Sequence, residues 1–339
     1  MIYAFLTSLE PVVNGEIPEF GIRRPKGAPL SFNRRNVVYP ETDGKTVRYR
    51  ICRIPVINGN SVRGQTRRRF IYKTLQVLET PEKSIHPEII HFISAGGGTG
   101  KDDSPGQEQF KFKQEIRKKL PFVNLLGGAL RGMFLKGMLR VGFVYPIIKE
   151  TCWMLSNTPL KERFQDVELL TASDLEGKLD VIRLTRCKID DEFLKYSEAD
   201  ELSEDGEVVV EVDDESDDDD VKRDKGAIYS AEALPAGLPM WTYFELCRND
   251  DEILEAALHA FVESFKELSS IGGWKAKGCG HFAMEFMYAD GTSYNPQKAE
   301  KYWEYLKENK NEINYYMSKE LAEYLRSTDK AREEKKKKK

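Results

Sequence analysis

The chain has 339 residues, of which 40% are hydrophobic and 32% charged, which is enough apolar content to bury one large domain or two. No apolar run reaches the roughly 20 residues of a membrane span, and the first ten residues lack the basic region of a signal peptide, so we expect a cytoplasmic protein. The formal net charge is −4, which by itself does not indicate a polyanion-binding protein.

The first third of the chain predicts two strands and a helix. Alternating apolar residues indicate a strand from Ile2 to Leu9, and a polar, basic segment follows over residues 11–45. A second strand is expected over Thr46–Pro55, and Asn58–Asn60 is typical of a turn. Ser61 then begins an amphipathic helix that extends to Leu78.

The faces of this helix are predicted from its period. We expect Val62, Phe70, Tyr72 and Leu75 to face the core. The solvent side would carry Arg63, Arg67, Arg68 and Arg69.

The middle of the chain is interpreted as a loop followed by one long strand. The Gly-rich stretch over residues 94–106 indicates a flexible loop within an insertion over residues 80–120. A strand is expected from Met133 to Tyr145, closed by Pro146.

Two strands joined by a long protrusion come next. Alternation at Val181, Arg183 and Thr185, and again at Trp241 and Tyr243, predicts a hairpin that leaves the sheet as a finger over about residues 184–234.

The last part of the chain predicts a helix, a strand and a helical tail. Glu252 to Leu268 has a continuous apolar side, and it ends at a Gly pair. Gly280 to Tyr288 is expected to be the final strand, residues 291–339 a separate helical segment, and Lys335–Lys339 a solvated end. The order β, α, β, β, α, β predicts an α+β, ferredoxin-like core of the kind used by RNA-recognition modules, in a domain over residues 1–290.

Charge is strongly segregated along the chain. Fourteen Asp or Glu and no Lys or Arg lie between Glu198 and Asp220, so the rest of the chain carries +10. A basic working surface with an acidic appendage is typical of nucleic-acid-binding proteins. The acidic run is too poor in apolar residues to pack, and we expect it to be disordered.

Metal and nucleotide sites are disfavoured. Five scattered cysteines and four histidines form no zinc-ligand spacing, and His259 lies in an amphipathic helix, where a packed or surface role is expected. The stretch Ala95–Asp102 departs from a phosphate-binding loop, because Ala95 replaces its first Gly and Asp102 its magnesium-binding hydroxyl. We therefore expect no cofactor, no metal and no catalytic residue.

Two Gly and basic motifs could cradle phosphates. The first is Ile54–Arg69, in which a Gly turn and Ser61 stand at a helix start, where free N–H groups favour an anion and Arg63, Arg67 and Arg68 add positive charge. An ordinary cap with a solvated basic face is the alternative. The second is Gly272–His281, in which Lys275 and Lys277 stand among glycines.

These motifs, taken in order, resemble the RAMP superfamily, the RNA-binding backbone subunits of multi-subunit CRISPR effector complexes. Ile54–Arg69 resembles its Ile-Pro, Ser, basic, Gly pattern, and Gly272–His281 its Gly-rich loop. Leu126–Gly132 resembles its Leu-Phe-Gly element without the Phe. Thr185–Asp190 and Glu232–Gly237 resemble the two sides of its thumb.

The resemblance implies a subunit that polymerises along a guide RNA (crRNA) into a helical filament for antiviral defence. Its implied partners are guide RNA, copies of itself, other effector subunits and a target nucleic acid. Members that cut target RNA carry an Asp before an Asn-x-Val step, whereas Arg35 precedes Asn36 here. An Arg cannot bind a divalent cation, so we expect a non-catalytic subunit of a DNA-targeting or type IV-like system.

Two alternatives remain open, a metal-dependent RNase of the same fold, with Asp43 as the nearest acid downstream of that step, and a general RNA-binding protein outside CRISPR. The residues assigned to RNA binding are Arg23, Arg24, Arg34, Arg35, Asn60, Ser61, Arg63, Arg67, Arg68, Arg131, Arg186, Lys275 and Lys277.

Overall fold

A computed structural model of the chain describes most of its residues. The described ranges are 1–15, 31–42, 44–98, 109–131, 133–164, 167–175, 178–183, 227–248 and 251–326, with only the backbone described over 178–183 and 227–230. The acidic run, Asp43, most of the predicted finger and the lysine end therefore lie outside the described residues.

The described strands and helices are as follows. The strands are β1 (Ile2–Ser8), β2 (Arg34–Thr42), β3 (Val47–Pro55), β4 (Gly97–Gly98), β5 (Gly127–Leu130), β6 (Met133–Lys136), β7 (Leu139–Val141), β8 (Tyr145–Pro146), β9 (Lys178–Arg183), β10 (Ala227–Glu232), β11 (Pro239–Leu246) and β12 (Phe282–Tyr288). The α-helices are α1 (Gly59–Val77), α2 (Pro87–Ala95), α3 (Gln109–Lys119), α4 (Pro121–Leu126), α5 (Lys149–Cys152), α6 (Glu252–Lys266), α7 (Glu300–Glu308) and α8 (Lys310–Tyr315).

The main sheet is antiparallel, with the order β12, β1, β11, β7, and β8 also pairs with β11. β1 lies between β11 and β12, with Ala4 opposite Thr242 on one side and Phe286 on the other. Because side chains alternate across a strand, Ile2, Ala4 and Leu6 are buried on one face. The fold is thus a mixed α+β architecture.

Helices α1 and α6 contact one another, α1 contacts β7 and α6 contacts β11. Phe70 of α1 lies 5.7 Å from Phe261 of α6 between ring centroids, and Phe244 of β11 lies 5.2 Å from Phe265. A smaller cluster around Trp241 packs with Leu155 and Leu160. Burying aromatic surface of this size stabilises the core by several kcal/mol.

Gly59 allows α1 to begin directly against the sheet. A Cβ atom at Gly59 would lie 2.4 Å from the carbonyl oxygen of Val141 in β7. No other residue fits there, so the glycine fixes where the helix enters.

Several predicted elements are confirmed with shifted bounds. The first strand, the strand that ends at Pro55, the helix from Glu252 and the strand that ends at Tyr288 are all present. The tail is helical from 296 to 326, with a π-helix over Tyr316–Glu320. Among residues 1–326, the described helices include none long and apolar enough to cross a membrane.

Three predictions were wrong. The segment 133–145 is not one strand, because breaks at 137–138 and 142–144 divide it into β6, β7 and β8. The segment predicted as a loop from residue 94 begins inside α2, whose N-cap His86 and Pro87 start a helix that the prediction omitted. The basic segment before residue 45 contains β2, which pairs with β3 as a hairpin.

Candidate nucleic-acid interface

The start of α1 is capped by its own chain. The side-chain oxygen of Asn58 accepts a hydrogen bond from the N–H of Asn60 at 2.9 Å, and the Asn58 carbonyl accepts from Ser61 and Val62. The helix therefore begins at Gly59, two residues before the predicted Ser61. Since these N–H groups already have partners, main-chain donors do not supply the open anion cradle that the motif suggested.

The outer face of α1 carries the groups that remain exposed or half-buried. Ser61, Gln65, Arg68 and Tyr72 follow one another at spacings of four, three and four residues, which places them along one side of the helix. Tyr72 is 57% exposed, so its predicted place in the core was wrong. The buried positions 62, 66, 70 and 74 occupy the opposite side.

The Gly-rich loop lies beside this face. Gln65 Nε2 donates to the Gly272 carbonyl at 3.5 Å. Burial, followed by the nearby charge of Arg68, lowers the pKa of Lys275, whose Nζ also donates to the Ser270 carbonyl at 2.9 Å. The arginine and the lysine, from motifs two hundred residues apart, therefore share one electrostatic environment.

Trp274 and Gly272 shape the loop. Lys277 is exposed, and its Nζ lies 4.6 Å from the centroid of the Trp274 ring. Trp274 packs against a small buried cluster that includes Val13 and Ala231. Gly272 has φ +99°, and a Cβ there would lie 2.4 Å from the Val13 carbonyl oxygen, so the backbone geometry requires glycine.

The Glu232 motif joins the same region. Glu232 accepts from the Phe32 N–H at 2.7 Å and from Arg34 Nη1 at 2.5 Å. Burial would raise the pKa of Glu232, but these donors outweigh it and lower that pKa. Val12 pairs with Leu234, and Val13 pairs with Gly273. The segment at Val12 and Val13 therefore lies between the end of β10 and the Gly-rich loop and contacts both.

Arg67, one of the predicted phosphate ligands in α1, faces inward. Arg67 is 4% exposed and donates to the carbonyls of Ile93 at 2.8 Å, Phe92 at 3.1 Å and Gly127 at 2.5 Å. Burial, with a contribution from Arg63, lowers the pKa of Arg67 to about 10. Its guanidinium caps the last carbonyls of α2, so the predicted solvent-facing position of Arg67 was wrong.

Arg63 has an intermediate position. It is half-buried, and its Nη2 donates to the Leu126 carbonyl at 3.2 Å. Desolvation lowers its pKa. Together with Arg67 it ties α1 to the Leu126–Gly127 element.

Arg131 lies away from the interface. Its Nη2 and Nε meet the two carboxylate oxygens of Glu88 at 2.5 and 2.7 Å, and its Nη1 donates to the Leu325 carbonyl. Its side chain is 11% exposed, and its guanidinium is bonded within the protein. It joins α2 to the C-terminal helical region.

The root of the hairpin carries the exposed cations Arg35 and Arg53. The guanidinium carbon of Arg35 lies 5.3 Å from the centroid of the Phe143 ring. The residue after Phe143, Val144, pairs with Ile57, which lies just before α1. Arg34 is half-buried and paired with Glu232. The remaining assigned residues Arg23, Arg24 and Arg186 lie outside the described residues.

The predicted RNA-binding residues that the structure describes therefore fall into two groups, those that lie near the outer face of α1 and those that lie elsewhere. The structure brings Ser61, Arg68 and the loop that carries Lys275 and Lys277 to one side. Asn60 is exposed at the start of α1, Arg63 is half-buried, and Arg34 and Arg35 lie at the hairpin root. Sequence reasoning missed Gln65, Tyr72 and Trp274. The sequence could have indicated Gln65 and Tyr72, because their helical spacing from Arg68 places all three on one side of α1.

Comparisons with known proteins show a likeness to solved structures and to nothing else that was compared. No protein-family model matches the chain, and no curated protein matches it. Among solved structures, a chain described as "Type IV-B CRISPR Complex" is similar, with a TM-score of 0.48 and 18% identity, over 87% of this chain and 93% of that chain. At that TM-score the likeness carries no functional conclusion.

Proposed function

We propose that the protein is a non-catalytic, guide-RNA-binding backbone subunit of a CRISPR effector complex. The proposal begins from the ordered motifs that resemble the RAMP superfamily. The observation that supports it most is spatial, because three of these motifs converge. The outer face of α1, the Gly-rich loop and the Glu232 strand end are joined through Gln65, Gly272 and the 12–15 segment.

The topology of the main sheet agrees with the proposed core. The strands β1, β7, β11 and β12 are the first to the fourth of this sheet in chain order. Across the sheet they lie in the order fourth, first, third, second. Helix α1 lies between the first two in sequence and α6 between the last two. We infer that this arrangement is a ferredoxin-like core, the topology that RNA-recognition modules use.

The proposed mechanism is electrostatic. Arg68, Lys275 and Lys277 would neutralise successive phosphates, and each phosphate contact releases condensed counterions. Tyr72 and Trp274 offer aromatic surface to bases, which stack without regard to sequence. Sequence specificity would then belong to the RNA, through pairing of its exposed bases with a target.

The absence of catalysis is part of the proposal. Arg35 occupies the position where cutting relatives carry an Asp, and a guanidinium neither binds a cation nor accepts a proton. Protein with guide and complementary RNA is expected to give no regular cleavage in magnesium or manganese. Evenly spaced, metal-dependent cuts that Asp43→Ala abolishes would establish the nuclease alternative.

Electron microscopy with guides of two lengths tests the backbone role. A backbone subunit forms helical particles whose length follows the length of the bound RNA, because its head-to-tail contact does not close on itself. Nuclease protection should repeat at a fixed interval. Tight binding with one isolated protomer on long RNA would replace the proposal with a general RNA-binding protein.

A further inference from the structure

A polar cleft lies beside α3, away from the Gly-rich loop. It has a volume of about 680 Å³ and is lined by the second half of α3, by α4, by Arg248 just after β11 and by the start of α6. Helix α6 has 15 residues and is therefore about 22 Å long. The cleft lies at its first turn, whereas the Gly-rich loop follows its last turn. Since α1, α4, α7 and β11 pack around α6, the cleft and the loop are separate surfaces.

Three cations line the cleft. Arg117 is held in place, because its Nη1 donates to Asn124 Oδ1 at 2.9 Å and its Nη2 donates to the Lys136 carbonyl at 2.6 Å. Lys118 and Arg248 are exposed, and within the described part of the chain neither has an ion-pair or hydrogen-bond partner. A guanidinium that is already oriented loses little freedom when it binds an anion. The cleft therefore offers one fixed cation and two exposed cations.

The two carboxylates at the cleft are already engaged. Asp251 is the N-cap of α6, and its Oδ1 accepts from the N–H groups of Ile253 at 2.9 Å and Leu254 at 3.2 Å. Glu252 is paired with Lys301. Cations therefore outnumber carboxylates around the cleft, and its net charge is positive, which suits an anionic ligand.

Two exposed phenylalanines flank the cleft. Phe110 is 65% exposed and precedes Gln114 and Arg117 by four and seven residues, so it shares their side of α3. Phe134 is 64% exposed and lies on the outer side of β6, two residues before Lys136, whose carbonyl accepts from Arg117. Single-stranded nucleic acid uses both kinds of group, because its bases stack on aromatic rings while its phosphates meet cations. A free phosphate or an acidic peptide would use the cations and leave both rings in water.

We propose that this cleft is a second site for single-stranded nucleic acid, and that it holds a different strand from the one at the outer face of α1. The inference goes beyond the proposed function, which needs only the α1 face and the Gly-rich loop. Arg117, Lys118 and Arg248 bind phosphates, and Phe110 and Phe134 stack on bases. Binding is independent of sequence, since every nucleotide carries a phosphate and every base presents a flat face to a ring.

Binding stoichiometry tests the second site. The probe is an oligouridylate of about four nucleotides, which at about 3.4 Å per nucleotide is shorter than α6. Native mass spectrometry at low salt should show two copies of it on each wild-type protomer. The cleft variant, Lys118→Gln with Arg248→Gln, should bind one copy. The α1-face variant, Arg68→Gln with Lys277→Gln, should also bind one copy, at the cleft.

The charged and aromatic groups of the cleft should respond differently to salt, measured by titration in the α1-face variant. The cleft substitutions should flatten the slope of log affinity against log salt by about 1.4, for two lost single-strand phosphate contacts. Phe110→Ser with Phe134→Ser should weaken binding at least about fivefold and leave the slope unchanged, because no charge is lost. The matched control, Lys83→Gln with Lys149→Gln, removes two exposed lysines elsewhere and should change neither quantity.

The replaced cations and phenylalanines of the cleft are exposed, so thermal melting should show intact folds. A single oligouridylate on each wild-type protomer, or two on the cleft variant, would overturn the proposal. Weakened binding in the cleft variant with none in the phenylalanine variant would also overturn it, and would leave an anion site that does not contact bases.

Failure of the proposed function gives a different result. If the α1-face variant binds as many oligouridylates as the wild type while the cleft variant loses one, the cleft site stands and the α1 interface fails.

Discussion

Adjacent arginines in α1 should have opposite effects when each is replaced by methionine. Arg67 is buried against three carbonyls, whereas Arg68 is exposed beside Lys275. Methionine keeps the helix propensity and the unbranched apolar stem of both side chains, so the two substitutions differ chiefly in what each guanidinium touched. The pair thus separates a structural arginine from an RNA-binding one.

The expected cost of Arg67→Met follows from its hydrogen bonds. Removing the donors leaves the carbonyls of Phe92, Ile93 and Gly127 without that partner, at about 1 kcal/mol each. Arg67→Met should therefore lower the free energy of unfolding by about 3 kcal/mol, and the urea midpoint by roughly 1 M. The RNA affinity of the folded protein should stay at the wild-type value.

Arg68→Met should leave the urea midpoint unchanged, because exposed substitutions rarely change stability by more than about 0.5 kcal/mol. Its RNA affinity should fall for every sequence, and the slope of log affinity against log salt should flatten by about 0.7 for one lost single-strand phosphate contact. Urea unfolding and filter binding over a salt series measure both quantities. Normal stability with weakened binding in Arg67→Met would refute the assignment of Arg67 to the core.

Three further predictions concern stability. Burial, with the charge of Lys298 opposed by that of Glu255, lowers the pKa of His259 to about 4. The unfolded chain therefore binds the extra proton from about pH 6.5 downward, and up to about 3 kcal/mol of stability should be lost as pH falls to 4. His259→Phe should flatten that part of a pH series of melting curves, and an unchanged slope would contradict the buried neutral state. Arg131→Met breaks the pair with Glu88 and the bond to the Leu325 carbonyl, so limited proteolysis should cut within residues 300–326 much sooner while RNA affinity is kept. Equal cleavage rates would exclude the anchoring role. Gly59→Ala forces a Cβ against the Val141 carbonyl, and a loss of about 1–3 kcal/mol in urea unfolding is expected; full stability would show that the helix start can shift.

Periodicity determined much of the fold from sequence alone. The strands at 2–8 and 282–288 and the helix at 252–266 alternate or repeat clearly, because each buries one face against a single partner layer. The motifs at 54–69, 232–237 and 272–281 were likewise visible in the sequence, since Gly turns and basic runs are local patterns.

Tertiary structure alone decided which side chains serve the interface. Arg67 and Arg68 are adjacent and chemically identical, and 100° of helical rotation sends one to the end of α2 and the other to the Gly-rich loop. Arg131 meets Glu88 only because α2 and β5 pack together. Asn58 accepts hydrogen bonds from the N–H groups at the start of α1, which the sequence motif suggested were free to bind a phosphate. Partners distant in sequence determine whether a charge is buried or exposed, and local pattern carries no information about them.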